Sequence, residues 1–230
     1  MNRFILALLA CGLVVSGSAF AEEESPAGTH YYTWLQDPWT GETKLTLVPH
    51  PDQSLWNAAR VEDYDHALAA EGAPALGVLT IDRLGLQVPI YNGTSEFNLD
   101  RGLGRIRGMA RPNEDGNLGI SGHRDGFFRG LKDIQAGDKI MVRTTERVEV
   151  YAVSDITIVN KEEVSILTAI DDKMLTLVTC YPFYFVGNAP QRYIVHAVPL
   201  NAMGEGPKPP AAPPDPPGEE SPDEPESDAS

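Results

Sequence analysis

Cysteine is nearly absent: only Cys11 and Cys180 occur in 230 residues, so no Cys/His cluster with zinc spacing can be assembled. Positive charge is scarce as well. Eighteen Lys and Arg against 33 Asp and Glu leave a formal net charge of -15, which argues against nucleic acid and against charge-driven binding to an anionic membrane. No apolar run reaches the roughly 20 residues that span a bilayer, so no strong membrane anchor is expected. No Asp-rich calcium loop and no internal repeat occur. The acids Glu114, Asp115, Glu162 and Glu163 fall on loops, but their spacing specifies no site. The expectation is therefore no metal and no cofactor.

What is present begins with an export signal. Residues 1–21 combine Arg3, an apolar stretch from Phe4 to Val15, and the small-residue ending Ala19-Phe20-Ala21, followed by Glu22-Glu23-Glu24. This pattern reads as a cleavable secretory signal peptide. Two competing readings are a lipoprotein box at Leu8–Cys11 and an uncleaved anchor. Cleavage after Ala21 removes Cys11 and leaves Cys180 as the single thiol, without an internal disulfide partner in a compartment that favours disulfides. Such a cysteine is either buried and inert or a reactive thiol. The protein is expected to be periplasmic, extracytoplasmic or secreted.

The rest divides into four parts. Residues 22–52 read as an irregular arm, with Tyr31, Tyr32, Trp34 and Trp39 packing onto the domain or covering a groove. Residues 53–72 read as an N-terminal amphipathic helix, stopped at Gly72. Residues 73–200 carry seven or eight short β-branched runs: 75–81, 86–91, 117–123, 139–144, 148–159, 174–180 and 192–198 among them. Their spacing predicts an all-β barrel or sandwich, with short helical turns at 127–133 and 162–168. Residues 201–230 form an acidic, proline-rich tail. From Gly204 onward they hold eight acids, nine prolines and Lys208 alone, with almost nothing to bury, so the tail is expected to be disordered, either as a solubilising segment or as a spacer.

Three polar residues stand at strand ends: Cys180 closing MLTLVTC, His123 closing NLGISGH, and Arg192 opening RYIVHAV. Taken singly, each has a bland reading: a buried small hydrophobe, a surface imidazole, and a cross-strand ion pair. Taken together at one rim they fit a Cys/His nucleophile pair with a cationic oxyanion stabiliser.

TLVTC with a downstream Arg and an upstream Gly-His resembles the signature of the sortases, cysteine transpeptidases of bacterial surfaces. The stretches GVLTIDRLGLQVPIYNGT, NLGISGHRDGFFRGLKDIQAGDKI and TLVTCYPFYFVGNAPQRYIV look most like class D. The resemblance covers about residues 75–198. It implies a closed eight-stranded β-barrel with Cys180 as nucleophile, His123 as the family histidine and Arg192 as the family arginine. It also implies an exported protein substrate carrying a short sorting motif, and an amine acceptor such as a cell-wall peptide, with water as an alternative. A monomer is expected. Most sortases keep an N-terminal membrane anchor, and here a cleavable signal stands in its place. Competing readings are an L,D-transpeptidase-like or thiol hydrolase acting on cell-wall peptides, and an inactive β-barrel peptide-binding module.

Four further residues are candidates for the substrate groove. Thr179 precedes the nucleophile and either donates a hydrogen bond near the bound peptide or is simply a β-former. Asp125, two residues from His123 on an extended chain, shares its face where Arg124 does not. Tyr181 and Phe183, with Phe185, either line an apolar groove or merely pack.

Overall fold

The computed structural model describes residues 30–163, 165, 172–184 and 187–200. The signal peptide at 1–21, the tail at 201–230, Phe185 and most of the turn expected at 162–168 lie outside the described residues. Among the described residues no helix is long and apolar enough to cross a membrane.

The expected irregular arm contains a β-hairpin, which corrects its reading over residues 30–49; residues 22–29 lie outside the described residues. Strand β1 (His30–Gln36) pairs antiparallel with β2 (Thr43–Pro49), Tyr32 opposite Leu47 and Trp34 opposite Leu45. Its turn is fixed by Asp37, whose Oδ1 accepts from the amides of Trp39 (2.9 Å) and Thr40 (2.6 Å), and by Gly41 at φ +73°. One face of the hairpin, with Leu35 and Val48, is buried against Ala75, Val78 and Tyr91. The other face is also apolar, so the alternation that marks a half-buried strand is masked.

Helix α1 (Ala58–Ala69) is shorter than expected at both ends. Asn57 caps it by accepting from the Arg60 amide at 2.9 Å. Tyr64 and Ala67 are its buried residues. Trp56, Tyr64 and Phe127 meet edge to face and seat the helix on the core.

From residue 77 the expected strands appear. β3 (Gly77–Ile81) and β4 (Leu86–Asn92) form the expected hairpin around a 3-10 turn at Asp82–Leu84, ended by Gly85 at φ +60°. Two elements escape sequence reading: helix α2 (Glu96–Arg101) and strand β5 (Leu103–Arg105), the latter three residues long and centred on Gly104. β6 (Asn117–Ser121), a 3-10 segment at Phe127–Asp133, β7 (Lys139–Arg143), β8 (Val148–Asn160), β9 (Met174–Tyr181) and β10 (Gln191–Pro199) follow.

The eight strands close into a barrel in the order β10-β8-β7-β3-β4-β5-β6-β9. This is the closed all-β barrel expected. The pairs β4–β5 and β6–β9 are parallel; the remainder are antiparallel. Leu79, Ile81, Ile90, Leu103, Ile120, Phe128, Leu131, Ile140, Leu175, Leu177 and Val195 fill the core. Closure leaves no free sheet edge in the barrel itself. It also brings the end of β9 between the end of β6 and the start of β10, which is where the site lies.

Candidate functional site

Cys180 and Arg192 are directly opposite in the antiparallel register of β9 and β10. Opposed residues share a sheet face with Cβ atoms about 4.5–5.5 Å apart, so thiol and guanidinium side chains project together. Both line one hollow of about 300 Å³ with His123, Asp125, Lys161 and Asn188. The structure therefore brings the three strand-end residues into one cavity. Cys180 is a half-buried free thiol. The Arg192 guanidinium is braced through Nη1, which donates to the carbonyls of Ala189 (3.2 Å) and Gln191 (2.9 Å).

His123 sits two residues beyond β6, on a turn tied to the cysteine strand. The Gly122 amide donates to the Val178 carbonyl at 3.2 Å, and the Gly122 carbonyl accepts from Thr179 Oγ1 at 2.7 Å. A Cβ at Gly122 would come within 2.8 Å of Leu103 and Phe128, so glycine lets the histidine turn sit directly on the core. Alternation along β9 places Thr179 on the inner face when Cys180 faces the cavity. Thr179 is 2% exposed. This corrects its expected place in the substrate groove: its hydroxyl positions the histidine turn.

Thr179→Val keeps the shape and removes that bond, leaving a buried carbonyl unpaired. The expected cost is about 1–3 kcal/mol, read as a lower urea midpoint with unchanged slope.

Tyr181 and Phe183 turn the same way. Tyr181 stacks on Tyr193 with centroids 6.1 Å apart, and Phe183 meets Tyr193 at 5.1 Å. Both pack at the barrel mouth; Phe183 also lines a hollow, with Tyr184, Arg129 and Asn57, that shares Asp125 with the thiol cavity. Asp125 lines the cavity. Its Oδ1 lies 3.6 Å from Arg60 Nη2.

The carboxylates nearest the imidazole come from α2, which sequence reading missed. His123 Nε2 lies 3.4 Å from Glu96 Oε2 and 3.7 Å from Asp100 Oδ1. Glu96 and Asp100 are four apart, hence on one face of the helix; that spacing was the only sequence signal, and nothing in it pointed to residue 123. Arg60 on α1 closes the cluster, its Nη1 2.5 Å from Asp100 Oδ1. Burial, and after it the Arg60 guanidinium, hold the His123 pKa below the ordinary imidazole value, against the pull of Glu96, Asp125 and Asp100. Burial likewise raises the Asp100 carboxyl, opposed by Arg60 and His123. The ligand atoms of Glu96, Asp100 and His123 lie within 4.8 Å of one another, a spacing that a divalent cation can bridge, although Arg60 already engages Asp100.

A family model described as the sortase domain matches residues 79–200. Sortase D of Bacillus subtilis (strain 168) is 37% identical over 127 residues; the match covers 55% of this chain and 64% of the Bacillus protein, a little under two thirds of its length. Among solved structures, a Clostridium perfringens Sortase D5 transpeptidase superposes with a TM-score of 0.51 at 25% identity, covering 64% of this chain and 92% of that one. Sortase C1 from Streptococcus agalactiae gives 0.52 at 26% identity, covering 63% and 77%. With the family match spanning more than half of the sequence, the chain belongs to the sortase family.

Proposed function

We propose that the protein is a sortase-type cysteine transpeptidase that cleaves a short sorting motif in exported proteins and passes the acyl group to an amine. The observation that carries this reading is the register of β9 and β10, which sets Cys180 opposite Arg192 on the wall of a cavity that His123 also lines.

The steps follow from the groups present. Burial and the Arg60 guanidinium pull the His123 pKa below the ordinary imidazole value, which favours the neutral imidazole that serves first as a base. The thiol proton passes to the imidazole as sulfur adds to the scissile carbonyl. The Arg192 guanidinium faces the developing oxyanion. Collapse breaks the C–N bond, the imidazolium gives its proton to the departing amine, and a thioester on Cys180 remains. The acceptor amine then attacks the thioester while His123 takes its proton and returns it to the leaving sulfur. Water in the same position gives hydrolysis. Glu96 and Asp100, beside Nε2, stabilise the imidazolium in both halves.

The acceptor is an amine such as that of a cell-wall peptide, and the enzyme works as an exported monomer. No step calls for a metal or cofactor.

Incubation with LPXTG-like peptides tests the reading. The expected result is a peptide-sized mass increase on the Cys180 tryptic fragment and, when an amine is added, a new peptide–amine product. Cleavage without a covalent adduct on Cys180, or adduct formation only with cell-wall peptides lacking a sorting motif, would overturn it. Iodoacetamide labelling separates an enzyme from a binding module: rapid reaction at neutral pH is expected of Cys180, and an inert thiol would argue for a module.

A further inference from the structure

A second hollow, of about 200 Å³, lies away from the thiol, between β1, the end of α1 and α2. At its base is Arg101, 6% exposed. The guanidinium stacks on Tyr91 (3.9 Å to the ring centroid) and Phe97 (4.4 Å). Its Nη2 donates to the Ala73 carbonyl at 3.0 Å and to Asn98 Oδ1 at 3.3 Å. Its Nε has no hydrogen-bond partner. Gly72 lies so close that a Cβ there would fall 2.4 Å from Nη1, so glycine at this position makes way for the cation. Among the described residues no carboxylate pairs with Arg101, and burial lowers its pKa. A buried cation is normally paired, because its desolvation is otherwise uncompensated. Among the described residues this one has no anion.

The rim supplies a second kind of surface. Tyr32 and Trp34 line the same hollow and are 69% and 53% exposed. Across the register stand Leu47 and Leu45, 44% and 46% exposed, so the outer face of the hairpin is a continuous apolar strip. Aromatic strips of this type accept proline rings in extended, polyproline geometry. A ligand matched to the whole feature is therefore an extended peptide rich in both proline and carboxylate.

The chain contains such a segment. Residues 204–230 hold nine prolines and eight acids against one lysine. The described barrel ends at Leu200, anchored through its amide to the Val150 carbonyl at 2.8 Å. At about 3.1 Å per residue in polyproline geometry the segment has ample length to return to the hairpin. We propose that the acidic proline-rich segment 204–230 docks in cis on this hollow, with one tail carboxylate pairing with Arg101 and prolines lying on Tyr32 and Trp34.

The test uses the full chain with the photoreactive p-benzoylphenylalanine in place of Tyr32, irradiated, digested and read by mass spectrometry. Cross-links to peptides of 204–230 are expected. They should fall about tenfold when the eight tail acids are replaced by Asn and Gln, as loss of a charge-assisted pair implies. Arg101→Met should do the same. Because that residue is buried and the variant can misfold, the neutralised tail is the deciding comparison. Absence of tail cross-links, or a yield that neutralisation does not change, would overturn the proposal. So would cross-links that join heavy and light copies in an isotope-mixed sample, which would make a second copy the occupant.

Discussion

Cys180→Ala is expected to yield no covalent adduct and no detectable transpeptidation with any sorting peptide. Alanine keeps the strand, because the backbone ladder of β9 is unchanged, the Cys180 side chain makes no hydrogen bond to the described residues, and it faces the cavity beside Arg192. The variant should therefore fold with an unchanged melting temperature, and circular dichroism before the assay separates lost chemistry from lost structure. Its residual activity should be the uncatalysed rate of peptide hydrolysis, since no other thiol exists among the described residues to form the thioester. Normal cleavage by this variant would end the assignment.

His123→Ala should retain the thiol and lose the proton relay. General acid–base assistance is worth roughly 10² to 10⁴ in rate, and the loss should appear in kcat with peptide binding little changed. Part of that loss should be recoverable by added imidazole, which a purely structural defect would not allow. Asp100→Asn provides the graded comparison. It keeps the α2 side chain beside Nε2 and removes the charge that stabilises the imidazolium, so it should also slow the reaction, by less, and flatten rescue on the acidic side of the pH profile. Equal activity of wild type and His123→Ala across pH 5 to 9 would assign the proton transfers to another group.

How much of this was legible in the sequence depended on whether a residue's position is set locally. The strands from β3 onward could be read because runs such as GVLTI, KIMVR and MLTLVTC are long enough, and β-branched enough, to carry their own pattern. β5 could not: three residues around Gly104 have no period, and they pair only because β4 and β6 present edges to them. The β1–β2 hairpin was missed because both of its faces are apolar.

The same distinction holds at the site. Cys180, His123 and Arg192 end or begin elements, and strand ends of a barrel converge at a rim. Thr179 was readable in principle, since alternation opposes it to Cys180. Asp100 and Glu96 were not, because their approach to His123 is made by the docking of α2 against α1 and the histidine turn rather than by any spacing in the chain.

The bond from Thr179 to the carbonyl of Gly122 joins residues 57 apart in sequence, and the parallel pairing of β6 with β9 around it has similar reach. Contacts of such separation are costly to close and form slowly, in roughly milliseconds to seconds for all-β folds. The contact that seats the His123 turn on the cysteine strand is therefore expected to form late in folding. A nascent or partly folded chain carries the thiol, with Arg192 opposite it on the next strand, before the imidazole is brought beside it. On the proposed mechanism, acylation therefore awaits the pairing of β6 with β9 that sets the base beside the thiol.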